Sequence, residues 1–306
     1  MAMSGMYGAS DEAESIATIH AAMDAGITLL DTGDFYGMGH NELLLRDALR
    51  GRNRDKVFIQ VKFGAHRAPD GSWLGYDARP QAVKTWLAYT LQRLGTGYVD
   101  LYQPARLDPN VPIEETVGAI GEMVKAGYVR HIGLSEMGAA TIRRAHAGHP
   151  IAALQIEYSL MSRGIEAEIL PAVRELGIGV TAYGVLSRGL IGGSVPKAGD
   201  FRAHSPRWQG ENRDRNLALV ERLRAIGEEK NASVVQLAIA WVLSRGDDII
   251  PLIGARTRKQ LAESLGALDV RLSADDLRRI EEALPAGEVA GSRYPAAQMG
   301  MLDSER

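Results

Sequence analysis

Short apolar runs alternate along the chain with longer stretches in which apolar residues recur at helical spacing. The runs are ITLLDT (27–32), VFIQVK (57–62), YVDLY (98–102), RHIGLS (130–135), AALQIE (152–157), IGVTAY (178–183) and DIIPLIG (248–254). Each is aliphatic, often β-branched, and continuous rather than alternating. Strands buried on both faces of a parallel sheet have this pattern. The intervening stretches read as helices. Residues 79–94 place Val83, Trp86, Leu87, Leu91 and Leu94 on one face, and residues 112–126 do the same with Ile113, Val117, Ile120 and Val124. Pro80 near the start of the first, and Gly95 and Gly127 after the two, are helix punctuation. Residues 233–244 are apolar nearly all round, which predicts a buried helix.

Seven strand–helix repeats in 306 residues predict an α/β fold close to a (β/α)8 TIM barrel, with a doubly wound sheet as the alternative. The count is one strand short. The first helix begins near Ser10 or Asp11, so a first strand has to come from Met1 to Tyr7, a short glycine-containing segment. The expectation is a first strand that is short or missing, with neighbouring edges exposed or covered by another segment. No repeat or linker-like composition divides the chain, so 1–306 reads as a single barrel domain. The longest non-helical stretch, 184–212, follows a late strand, where a loop of that length is more often functional than a linker.

Composition narrows the function classes. Hydrophobic residues make up 45% and charged residues 24%, with a net charge of −3, so nothing marks a nucleic-acid-binding surface. Cysteine is absent, which removes disulfides, thiol nucleophiles and thiolate metal sites. No run reaches the roughly 18 apolar residues of a membrane span, and MAMSGMYGAS lacks the regions of a signal peptide. The expected location is cytoplasmic and the expected partner a small molecule. His146 and His149 close a helix without acidic or histidine partners at ligand spacing, so no metal site is expected.

In such a barrel function collects at the C-terminal ends of the strands. Those ends carry Asp31, Asp34 and Tyr36 (LLDTGDFYG), Lys62 (QVKFG), Ser135 and Glu136 (GLSE), Gln155 and Tyr158 (LQIEYS), Tyr183 (TAYG), and Arg256 and Arg258 (PLIGARTR). A lysine held by an aspartate is a fixed positive charge. Near a phenol it favours the phenolate, and a tyrosine tuned in this way serves as a general acid toward a carbonyl oxygen. Taken alone, each residue is more often a turn residue or part of a surface pair; the three together on neighbouring strands are equally consistent with that and with a proton-transfer unit.

The segments LLDTGDFYG, VFIQVKFG, LQRLGTGYVDLY, HIGLSE, LQIEYSL, TAYGVLSRGL and PLIGARTRKQLAES resemble, in order and spacing, those of aldo-keto reductases along nearly the whole chain. That resemblance implies a (β/α)8 barrel that reduces aldehydes and ketones with NADPH, through a tetrad of Asp, Tyr, Lys and His. Asp31 matches the aspartate, Tyr36 the acid and Lys62 the lysine. The histidine would fall in LYQPARLDP, where Ala105 stands instead. Gln103 and Arg106 flank the gap and offer replacement donors. The resemblance further implies that Ser135, Glu136 and Gln155 hold the nicotinamide carboxamide, that Tyr183 stacks on its ring, and that Arg188 reaches the pyrophosphate. Gly254, Arg256, Arg258, Gln260 and Glu263 would wrap the adenosine ribose phosphate, with Ser264 in place of a more usual asparagine. Two arginines suit a 2′-phosphate, hence NADPH over NADH. Trp208, Tyr158, Arg293 and Tyr294 stay open between pocket lining and ordinary packing. Two functions follow: an NADPH-dependent carbonyl reductase with a modified tetrad, or a weakly catalytic NADPH-binding partner that senses redox state.

Overall fold

The structure, a computed structural model, describes residues 3–5, 10–196 and 200–306. Seven parallel strands form one sheet: β1 (Leu29–Gly33), β2 (Phe58–Phe63), β5 (Val99–Pro104), β6 (Val129–Ser135), β7 (Ile151–Glu157), β8 (Gly179–Tyr183) and β9 (Ile249–Pro251), in that spatial order. A small antiparallel hairpin, β3 (Ala65–Arg67) and β4 (Trp73–Tyr76), follows β2. Side chains of β1 and β7, at distant places in the sheet order, meet where Gln155 donates to Asp31, and Gln60 on β2 reaches Thr181 on β8. The sheet is therefore rolled into a barrel, with these polar side chains inside it.

Helices alternate with the strands: α1 (Glu12–Asp24), α2 (His40–Leu49), α3 (Pro80–Leu94), α4 (Ile113–Lys125), α5 (Ala139–Gly148), α6 (Ile169–Glu175), α7 (Gly210–Glu229), α8 (Val234–Leu243), α9 (Arg258–Leu265), α10 (Ala274–Ala283) and a short α11 (Ala296–Met299). Local chemistry sets their ends. Asp11 caps α1 by accepting from Glu14 N, and Ser233 and Gln236 form a capping box on α8. Gly95 ends α3 at φ 65°, a conformation that costs glycine little. The apolar helix expected over 233–244 is α8, buried along most of its length.

The expected first strand over Met1–Tyr7 lies mostly outside the described residues; Met3–Gly5 form a turn there. Met3 packs on the main core, and Ser4 Oγ bonds the side chains of His40 and Asn41 at the start of α2. Among the described residues β1 and β9 pair on one side only. On the outside, α1 meets α9 over this gap: Ala22, Ala255 and Leu261 form a small apolar cluster, and Arg258 pairs with Glu14 at 2.9 Å. No helix of the described residues is long and apolar enough to cross a membrane.

Candidate active site

Because side chains in a strand alternate, Asp31 on β1 and Lys62 on β2 both project into the barrel near its C-terminal mouth. Lys62 Nζ donates to both Asp31 carboxylate oxygens, at 2.7 and 2.8 Å, and to Thr32 O at 3.2 Å. Gln60 and Gln155 also donate to Asp31 Oδ1, at 3.2 and 2.6 Å, so the carboxylate is fixed from three sides. The Lys62 side chain is only 4% exposed. Burial lowers its pKa, the charge and hydrogen bonds of Asp31 pull the other way, and the charge of Arg106 adds to the lowering. Its ammonium lies 5.0 Å from the centroid of the Tyr36 ring, itself buried against Phe35. The three residues nominated for proton transfer thus share one site.

Ala105 N donates to Phe63 O at 2.9 Å, continuing the β5–β2 pairing, and its side chain is buried. It contributes a methyl group where a donor was expected. Gln103, in register with Lys62, is fully buried with neither amide atom partnered among the described residues. It leans over Gly133: a Cβ there would lie 2.8 Å from Gln103 Oε1 and 2.4 Å from Leu101 Cδ2. Only glycine leaves room for the amide at this point. Arg106 turns back over the strand end, Nη1 donating to Ala105 O at 2.6 Å and Nη2 to Tyr294 Oη at 3.4 Å.

The residues assigned to the nicotinamide divide into two groups. Ser135 is buried at the end of β6, and its Oγ has no partner among the described residues. A carboxamide, which carries both a donor and an acceptor, fits such a hydroxyl. Glu136, at φ 55°, is different. Its Oε1 accepts from Tyr183 Oη (2.7 Å), Arg293 Nη1 (2.9 Å) and Glu157 N (2.9 Å), and its Oε2 from Arg293 Nη2 (2.5 Å) and Ser304 Oγ (2.7 Å). Burial opposes its ionisation. The hydrogen bonds and charge of Arg293, with Arg106 and Ser304, overcome that and hold the pKa at about 2. Glu136 therefore anchors the C-terminal tail, and of the three residues expected at the carboxamide only Ser135 and Gln155 are free of that role. Tyr183 is a neutral phenol, its pKa driven well up by burial and then by Glu136.

The tail following α10 crosses the barrel mouth. Arg293, 7% exposed, lies between Glu136 and Glu157. Tyr294 Oη is 3.0 Å from Tyr183 Oη, and the Arg188 guanidinium stacks 4.0 Å from the Tyr294 ring. Arg188 also bonds Glu157 at 2.7 Å and Arg293 O. Arg293 and Tyr294 are thus mouth residues, whereas Trp208 and Tyr158 are core: both are buried, and Tyr158 Oη bonds Glu166 at 2.7 Å.

Where the sequence places the adenosine, Thr257 caps α9 by accepting from Gln260 N, and Gln260 Oε1 in turn accepts from Arg256 N at 2.9 Å. Arg256 adds positive charge near Asp200. Arg258 is turned toward α1 and held by Glu14. Gly254 and Glu263 are exposed, and Ser264 Oγ bonds back to Gln260 O. A helix N-terminus with Arg256 beside it suits phosphate oxygens. Among the described residues no group of three His, Asp or Glu side chains is arranged to hold a metal ion.

The description "Aldo/keto reductase family" fits this chain by its family model over residues 1–285. The chain belongs to that family. It is 46% identical over 302 residues to probable aldo-keto reductase 1 of Glycine max, covering 96% of this chain and 86% of that one. It is 39% identical over 304 residues to aldo-keto reductase yakc [NADP(+)] of Schizosaccharomyces pombe, covering 96% and 89%. The glycerol dehydrogenase AKR11B4 from Gluconobacter oxydans superposes with a TM-score of 0.84 at 29% identity, covering 92% of this chain and 89% of that one. The family makes the protein an oxidoreductase acting on carbonyl groups with a nicotinamide cofactor.

Two parts of the mouth carried no signal in the one-dimensional pattern. The β3–β4 hairpin brings Trp73 against Phe35 (5.7 Å between centroids) and Tyr76 within electrostatic reach of Arg106. Its turn sequence, RAPDGSW, was the available clue. Gly133 is the other: an isolated glycine inside a strand marks a close approach.

Proposed function

We propose that this protein reduces an aldehyde or ketone to the alcohol with NADPH, taking the proton from Tyr36. The observation that carries the reading is the buried Lys62–Asp31 pair with its ammonium 5.0 Å from the Tyr36 ring. Tyr36 donates its phenolic proton to the carbonyl oxygen. Lys62, kept in place by Asp31, stabilises the negative charge left on the phenol. Asp31 is in turn oriented by Gln60 and Gln155, so the lysine has one position to occupy. When bound, the reduced nicotinamide supplies the hydride to the carbonyl carbon. Ser135 and Gln155 are the residues that would orient its carboxamide, and Tyr183 would border its ring. Arg256 and the N-terminus of α9 would meet the 2′-phosphate, the basis for NADPH over NADH.

The S. pombe relative carries NADP(+) in its name, which supports the same cofactor here. Ala105 removes one oriented donor, a loss of about 3–4 kcal/mol at a transition state when such a donor is deleted elsewhere. Turnover is slowed by that, not abolished. The test is NADPH oxidation across a panel of aldehydes and ketones with Tyr36→Phe alongside. Activity that falls sharply while NADPH affinity holds supports the reading. Tight NADPH binding with no turnover of any carbonyl would move the protein to the non-catalytic, redox-sensing class.

A further inference from the structure

Ion pairing around the barrel mouth is nearly complete. Lys62 is paired with Asp31, Arg293 with Glu136, and Arg188 with Glu157. Arg207 also approaches Glu157, at 3.6 Å. Arg106 is the exception: among the described residues it has no carboxylate within ion-pair distance, and its recorded hydrogen bonds go to Ala105 O and Tyr294 Oη alone. A largely buried guanidinium in that state is unusual, because withdrawing a charge from water is costly unless it is paired. Three of its five N–H groups are left for something else.

Its placement says what that is. The guanidinium folds back over the end of β5, Nη1 on Ala105 O, beside the short, buried Ala105 side chain. Its charge is felt at Lys62, so the guanidinium lies within electrostatic reach of the proton-transfer site. Tyr76 from the hairpin and Tyr294 from the tail lie within electrostatic reach of it; the Tyr76 hydroxyl can donate to an anion, while Tyr294 gives its proton to Tyr183 and accepts from Arg106. Glu136, the nearby carboxylate that could have neutralised it, is occupied by Arg293. A planar guanidinium edged by two phenols matches a carboxylate, which accepts two parallel N–H bonds.

We propose that Arg106, flanked by Tyr76 and Tyr294, is a carboxylate-binding site, and that the preferred substrates are carbonyl compounds bearing a carboxylate. This rests on the reductase reading above and adds the substrate class. Arg106 binds the acidic group while Tyr36 addresses the carbonyl oxygen.

The experiment compares 4-carboxybenzaldehyde with methyl 4-formylbenzoate, which have the same ring and aldehyde and differ in charge. The wild type should favour the acid in kcat/KM. Arg106→Gln should lower the acid-to-ester ratio by about ten- to hundredfold, the range of a lost charge-assisted hydrogen bond, mainly through KM of the acid. Arg106→Lys, which keeps the charge without the fork, should recover part of that ratio and so guards against a folding defect. A wild type that favours the ester, or acid and ester falling in equal proportion in Arg106→Gln, overturns the proposal. So does a loss of NADPH affinity in Arg106→Gln that matches the loss of activity, because the anion bound would then be the cofactor's. If neither aldehyde is turned over, the reductase reading fails by itself. The site is then decided by benzoate titrated into the NADPH complex: weaker binding in Arg106→Gln supports it, and an unchanged Kd refutes it.

Discussion

Replacing Arg293 by methionine should destabilise the protein far more than an ordinary surface change. Arg293 bonds both oxygens of Glu136, at 2.9 and 2.5 Å, reaches Glu157 at 3.3 Å, and ties down Glu305 and Ser304 of the chain end. Methionine fills much of the same volume but leaves Glu136, which is fully buried, without its cation. Breaking a buried pair by removing one partner costs about 3–5 kcal/mol. Proton linkage gives a similar size: holding Glu136 down from 4.5 to about 2, at about 1.4 kcal/mol per pH unit, corresponds to about 3 kcal/mol. The sign follows from the depressed pKa. The stabilisation is complete above the unfolded value near 4.5 and is lost as pH falls through about 2. In the variant Glu136 is buried and unpaired, so its pKa rises. The gap between wild type and variant should therefore be widest near neutral pH and shrink in acid. Urea unfolding at pH 7 should show the loss directly, and the melting temperature should fall by about 6–10 °C at roughly 2 °C per kcal/mol. Adding Glu136→Gln to the Arg293→Met variant should recover much of the stability, since a neutral amide can still accept from Tyr183 and donate to Ser304 Oγ. A loss below about 1 kcal/mol, or no recovery in the double variant, would show that the tail is not anchored by this ion pair.

Burial, then Glu42, raises the Asp34 pKa to about 7 against the lowering bond from Gly64 N, so the native state loses stability as pH rises from near 4 through about 7. Asp34→Asn, which keeps an acceptor for Gly64, should be the more stable form at pH 8 by about 2–4 kcal/mol and indistinguishable at pH 4; equal denaturation midpoints at pH 8 would refute this. Gly133→Ala should push Gln103 and Leu101 aside and cost about 1–3 kcal/mol, read from urea unfolding, and a neutral result would mean the strand yields. Ala105→His should raise turnover of small aldehydes and lower that of bulky ketones; parallel changes in steady-state kinetics would deny that the new imidazole occupies the family position. Arg256→Ala should weaken NADPH while barely moving NADH in fluorescence titrations, and equal losses would exclude a 2′-phosphate contact.

Much of this site is legible in the sequence. Short, continuous, β-branched aliphatic runs read as strands covered on both faces, and in a barrel the polar residue ending each run emerges at the mouth. That logic alone brings Asp31, Lys62, Ser135, Gln155 and Tyr183 to one end of the fold, and the structure has them there. Family resemblance implied the roles and set Ala105 where a histidine is expected. Neither source told how the polar side chains are shared out. Gln155, expected to serve the cofactor, also steadies Asp31 from across the barrel. Arg258, expected at a phosphate, pairs with Glu14.

The tail was the least legible part. GSRYP has no periodicity, and its arginine is indistinguishable in sequence from any surface arginine. Its partner Glu136 lies 157 positions earlier in the chain. Periodicity reports which face of an element is buried, because that is a property of neighbouring residues in one strand or helix. Which charge meets which carboxylate is decided by closure of the barrel and the return of the tail over its mouth. Those contacts join segments with no local relationship, and they gain their strength from the burial that only the assembled fold provides.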